Sequence, residues 1–341
     1  MIVKNRLKFL VVLALSFIAT ACLDEFKVPL RQETEKLIVE GILTNDPANQ
    51  YLRLSLTTQF GTFNNIEPVK GAYVELQASN SKTTVYRTIP GELGIYRPDD
   101  TNFKSTEGLT YTLYIKLQDG REFKSASQKM PKPVPIEKLT AVFNSNNRIG
   151  FEVSLDFKDP KETENYYRWT GRGFYQRISK GVRISFGPGV CCDRCWVLKE
   201  EKSINLYSDA IVNGGAIKGR AVYFSPFFTL GKHLVEISQY NVSKETYQFW
   251  NRYKDQQVRR GTIFDPLPAP LLGNVVNIAD PSDIALGYFE VSGVSKLRIE
   301  PEALTQGLLA QNYLGPLYVP EGDCMLAYPF SVYLGVNPSN W

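Results

Sequence analysis

The stretch Ser243–Ser295, SKETYQFWNRYKDQQVRRGTIFDPLPAPLLGNVVNIADPSDIALGYFEVSGVS, decides how the chain is read. It opens with the best candidate for a long helix in an otherwise strand-like sequence. Ser243 stands at the N-cap and Glu245 in the first turn. Lys254, Arg259 and Arg260 crowd the last turns, a charge order that suits the helix dipole. Gly261 follows as a C′ residue, so the helix is placed over 243–260. Tyr247 and Trp250 are three apart, and Phe249 and Tyr253 four apart, which gathers rings on one side. We read Tyr247, Trp250 and Tyr253 as packing against a sheet, with a ligand or partner groove as the alternative.

Working outward from the helix, Phe264–Pro270 (FDPLPAP) alternates prolines, which forces an extended path and removes backbone donors. Gly273-Asn274 reads as a turn. Gly287–Val291 reads as a strand with Tyr288 and Glu290 on one face and Phe289 and Val291 on the other. The order helix, strap, turn, strand suggests a helix pinned over the end of a β-sandwich.

The ordered runs SKETYQFW, GTIFDPLPAPLLGN and DIALGYFEVS resemble the hallmark of the domain-of-unknown-function 4249 family, outer-membrane lipoproteins of the Bacteroidota. The resemblance covers most of the chain, from about Leu37 to about Arg298. That family has no assigned activity, so the resemblance implies location and architecture rather than chemistry. Its members commonly sit beside TonB-dependent transporter-type barrels. The resemblance therefore implies a non-catalytic accessory or interaction subunit of such a barrel. An independent surface module for a glycan or peptide, with Tyr and Trp as stacking platforms, is the other class.

Residues 1–21 read as a lipoprotein signal. Lys4, Arg6 and Lys8 form a positive n-region, and the apolar run Phe9–Ile18 is too short for a stop-transfer helix. Ala19-Thr20-Ala21-Cys22 resembles a lipobox, with Ala19 where leucine is commoner, so Cys22 is the expected lipidation site and the acyl chain the expected hold on the outer-membrane bilayer. Residues 22–36 are then a tether. Asp24 and Glu25, just behind Cys22, resemble a surface-export signal, with a solvated acidic tether as the alternative. Removing Lys4, Arg6 and Lys8 leaves 36 basic against 35 acidic residues, so net charge gives no reason to expect nucleic acid. The aromatic content of 12% suits β-rich cores.

After the leader about 320 residues remain, enough for two domains. Runs such as Tyr51–Leu56, Val69–Leu76 and Thr110–Ile115 alternate as strands, and Asp119-Gly120 marks a hairpin. Residues 37–130 are similar to a carboxypeptidase-regulatory or transthyretin-like sandwich. Pro131–Pro135 is read as a stiff linker. Residues 136–341 open like an immunoglobulin- or fibronectin-type domain with one inserted helix, and 171–222, rich in glycine and poorly periodic, reads as long loops. The expected fold is thus mainly β, with two β-sandwich-like domains.

Beyond Cys22 stand Cys191, Cys192, Cys195 and Cys324, an even count that argues for disulfides in an envelope protein. The vicinal pair is strained as a bridge, so one of the two is expected on Cys195, and the other could reach Cys324. Zinc at Cys192 and Cys195 is the rival, disfavoured because a second close pair is missing, so no metal or other cofactor is expected. Catalytic patterns are nearly absent: the single histidine, His233, lies in a strand-like run, and no nucleophile elbow, P-loop or dinucleotide fingerprint appears. The chain is read as a non-enzyme.

Overall fold

The computed structural model describes residues 35–58, 66–146, 148–183, 190–201, 203–210, 213–227, 231–258, 271–301 and 319–334. The first half holds β1 (Leu37–Thr44), β2 (Tyr51–Leu56), β3 (Glu67–Pro68), β4 (Tyr73–Ala78), β5 (Thr83–Thr88), β6 (Ile95–Pro98), β7 (Thr110–Lys116), β8 (Glu122–Ser125) and β9 (Gln128–Lys129). There follow β10 (Ile136–Asn144), β11 (Gly150–Lys158), β12 (Tyr166–Ile178), β13 (Val182–Arg183), β14 (Val190–Cys191), β15 (Arg194–Glu200), β16 (Asn205–Ser208), β17 (Ala216–Pro226) and β18 (His233–Val242). Helix α1 (Lys244–Val258) then leads to β19 (Leu272–Asn277), β20 (Ile284–Ile299), the short α2 (Cys324–Ala327) and β21 (Ser331–Leu334).

The expected pair of β-sandwich domains is overturned. The strands β1-β2-β6-β5-β4-β7-β8-β19-β20 form a sheet that closes where β20 pairs with β1, giving a nine-stranded barrel. Eight neighbours in the ring are antiparallel, and β1 with β20 is parallel. A closed ring with an odd number of strands cannot alternate direction all the way round, so one parallel neighbour is a geometric necessity. Local patterning could not reveal this, because the last two staves come from far along the chain. Closure removes the sheet edges.

Leu37, Val39 and Leu43 of β1 point inward beside Leu52, Leu54, Val74, Leu113, Ile115, Phe123, Phe289 and Val291, all in one buried cluster. The barrel is packed rather than hollow, as its small size allows. Outward positions carry ion pairs such as Arg53–Glu40 (3.1 Å) and Lys116–Glu122 (2.8 Å), so this wall faces water.

The 16-residue β20 does two jobs. Up to Ser292 it is a barrel stave, with Phe289 and Val291 inside and Tyr288 and Glu290 outside. From Gly293 it pairs with β18 and continues a sheet through β12 and β15 to β21. Gly287, at φ 80°, lets β1 come close: a Cβ there would lie 2.2 Å from the Val39 carbonyl oxygen. A separate three-stranded sheet, β10-β11-β17, shares a core with β12 and β18 through Val153, Leu155, Phe157, Tyr167, Trp169, Val235 and Ile237. The described residues of Lys36–Thr57 and those from Ile66 onward form one compact unit.

The segment 131–135 is no free spacer. Gln239 Nε2 donates to the Val134 carbonyl (2.8 Å), Asn241 Nδ2 to that of Lys132 (2.9 Å) and Ser295 Oγ to that of Val134 (2.8 Å). The segment is pinned onto β18 and β20 because its carbonyls meet a row of buried polar side chains. Nor is 171–222 mainly loop. It completes β12 and supplies β15, β16 and most of β17, and the glycine that hid the pattern has a packing reason: a Cβ on Gly171 would lie 2.3 Å from the Tyr223 ring.

Candidate functional site

Helix α1 begins as its sequence dictates, with the Thr246 amide donating to Ser243 Oγ at 3.2 Å. Arg259, Arg260, Gly261 and the strap Pro266–Pro270 lie outside the described residues, as do Cys22, Asp24 and Glu25. The helix packs on the barrel chiefly through a residue outside the expected trio: Phe249 is buried and stacks on Tyr288 at 4.5 Å between centroids. Tyr247 leans on Tyr166 at 5.1 Å. Trp250 and Tyr253, edge to face at 5.8 Å, are half-buried and line a cleft. Helical spacing alone could not tell which ring points to the core.

The cleft, about 890 Å³, lies between α1 and the outward faces of β1, β12, β18 and β20. A guanidinium forms its floor. Arg168 lies over the rings of Tyr240 (4.3 Å) and Trp250 (4.8 Å) and pairs with Glu290 at 2.9 Å. Both side chains are withdrawn from solvent, at 11% and 3% exposure. Burial works against the charge on Arg168, and Glu290 and the surrounding hydroxyls more than offset it, so its pKa stands above the usual arginine value. Glu290 also accepts from Trp250 Nε1 (2.7 Å) and Ser292 Oγ (2.8 Å). Among the described residues the Arg168 Nε has no hydrogen-bond partner.

Beside this floor Glu236 sits between Arg172 and Arg298, whose Nε lies 2.6 Å from it. Burial pushes the Glu236 carboxyl up, but the two arginines outweigh it and hold the group below the usual carboxylate range. Lys296 pairs with Asp46 at 2.6 Å. The floor is thus a lattice of compensated charge framed by aromatic rings. Sequence reasoning missed Arg168, because its partner Glu290 is 122 positions away. It did place Glu290 and Tyr288 together on one strand face.

The cleft-forming strands and α1 all fall within the span matched by one family model, the domain of unknown function DUF4249, over residues 23–298. The chain belongs to this family. No curated protein matches it. In this DUF4249 chain the cysteine bridge lies partly beyond the matched span: Cys195 bonds Cys324, with Cα atoms 5.7 Å apart. This corrects the expected pairing, in which Cys195 took a bond from Cys191 or Cys192. The backbone explains it, since the Cys324 amide donates to the Cys192 carbonyl (2.8 Å) and so lays α2 against the start of β15. The side chain of Cys191 lies outside the described residues.

Two buried polar groups resemble catalytic sets and are sealed. His233 Nε2 meets Ser225 Oγ at 2.6 Å, Ser225 also meets Tyr175 at 2.6 Å, and both His233 and Ser225 are fully buried. Burial lowers the His233 pKa to about 3. Asp159 accepts from Tyr167 (2.5 Å) and from the Gly214 amide (2.8 Å), and Asp209 accepts from the Asn165 amide (2.8 Å). Burial, and then its neighbour Asp159, push the Asp209 carboxyl up. Neither group reaches the cleft.

Proposed function

We propose that the protein is a non-catalytic binding subunit of the outer-membrane surface, lipid-anchored at Cys22, which takes a glycan or peptide in the cleft beside α1. The observation that carries this is the cleft itself: an open hollow with aromatic walls and a buried guanidinium–carboxylate floor. Such a hollow, mostly apolar with a few convergent polar groups, is the usual form of a ligand site. The anchor rests on Cys22 following the apolar core, and the outward facing on Asp24 and Glu25.

The test is thermal melting of the full-length protein against panels of oligosaccharides and oligopeptides. A ligand at 100 times its Kd stabilises by about 2.7 kcal/mol, which is readily seen. We expect one panel to raise Tm in the wild type and not in Tyr253→Ala. No rise in either panel refutes the cleft as a ligand site. Cys22→Ser is expected to lose the lipid mass and leave the membrane fraction.

A second reading, an accessory subunit docked on a TonB-dependent transporter-type barrel, is favoured by a different surface. Leu326 and Phe330 are 84% and 94% exposed on the segment held by the Cys195–Cys324 bridge. Phe330 adopts φ 74°, a conformation bulky residues rarely take. Leu326→Asp with Phe330→Asp should abolish co-purification of a barrel from detergent extracts while leaving Tm unchanged. Retention of the barrel would refute the docking surface.

A further inference from the structure

Resting on the binding-subunit reading, we infer that the cleft takes a neutral saccharide, its ring against the Trp250–Tyr253 wall and its hydroxyls on Arg168 and Glu290. The first ground is the Arg168–Glu290 pair, which lines the cleft beside Trp250 and Tyr253 and whose buried Arg168 Nε–H has no partner among the described residues. A buried donor of this kind calls for an acceptor oxygen.

Charge decides which oxygen. Glu290 already neutralises Arg168, so an anion seated there would be an uncompensated charge in a poorly solvated floor. The charged residues lining the cleft are Arg168, Arg172 and Lys296 against Glu40, Glu200, Glu201 and Glu290, a negative balance that repels anions further. A hydroxyl suits the floor better, because it accepts from the guanidinium and donates to a carboxylate. Among the described residues Glu290 Oε2 accepts one bond, from Trp250, and an ionised carboxylate has about four acceptor sites across its two oxygens. Two adjacent hydroxyls match this donor–acceptor pair, and polyols present them.

The backbone argues against a peptide bound by strand addition. One common mode for extended peptides is to add a strand to an open sheet edge. Here β1 is bonded to β2 and β20, β12 to β18 on one side and to β15 and β16 on the other, and β18 to β12 and β20. Recognition therefore falls to side chains: an aromatic wall for the ring's C–H face and a paired charge for its hydroxyls.

The experiment is calorimetric titration of detergent-solubilised full-length protein with maltohexaose, cellohexaose, xylohexaose, mannohexaose and chitohexaose, with hexagalacturonate as the anionic control and a pooled hexapeptide library as the rival. We expect at least one neutral sugar to bind, hexagalacturonate not to bind, and Tyr253→Ala and Tyr253→Leu each to weaken binding about tenfold or more. Two substitutions are used so that a folding defect in one leaves the other to decide. Sugar binding untouched in both variants overturns the placement, and preferred binding of hexagalacturonate overturns the neutral class. Peptide binding lost in the Tyr253 variants, with no sugar bound, overturns the saccharide and leaves the binding-subunit reading standing. Silence from all three ligand classes overturns both.

Discussion

His233 shows how one buried side chain couples this fold to pH. Its ring stacks on Tyr175 at 4.4 Å, Ser225 meets Nε2, and burial lowers its pKa from 6.5 to about 3. The folded state therefore resists protonation that the unfolded chain accepts below pH 6.5. Stability from the neutral ring is fully present above that value and is lost as pH falls toward 3, at about 1.4 kcal/mol per pH unit. Carboxylates titrate in part of the same window, so the informative quantity is the difference between wild type and His233→Gln. In denaturant melts between pH 7 and pH 4 the wild type should lose more stability than the variant. Parallel curves would show that the ring is solvated. The sequence placed this lone histidine in a strand-like run, and the structure buries it at the start of β18. Its partners, Ser225 and Tyr175, were hidden because only the tertiary fold brings them together.

Among the elements, α1 was the most legible, since caps and ring spacing are local. What its sequence could not convey was direction. Phe249 faces the barrel and Trp250 the cleft because of where β20 runs beneath them, and β20 is fixed by pairing with β1. The C-terminal segment poses the converse case. The four-residue α2 carries too little pattern to be placed from sequence, and a covalent bond ties it to β15. Cys195 and Cys324 are 129 positions apart, so the bridge closes a long loop. Cys195→Ser should cost about 2–5 kcal/mol. In thermal melts without reductant the variant should fall to the Tm of reduced wild type. An unchanged Tm would mean that the bridge does not form in the native protein.

Across the whole molecule, hairpins were readable one at a time and their union was not. Asp119-Gly120 was evident as a turn between β7 and β8, yet nothing near it announces that β8 pairs next with β19. Residues 37–130 therefore look self-sufficient in sequence and lack two staves in fact. A fragment of residues 36–130 should show no cooperative melting transition by circular dichroism and should bind a hydrophobic dye, whereas an independent sandwich would melt sharply. The same closure sets a timetable. A chain synthesised N-terminus first delivers seven staves, β1 to β8 without the short β3, well before β19 and β20 arrive, and they must wait as an open sheet with two unpaired edges. Such edges invite pairing with other chains. Contacts this distant in sequence also form slowly. The demand for protection during synthesis thus follows from chain order: the parallel neighbour that an odd ring needs is here β20, the last stave to arrive.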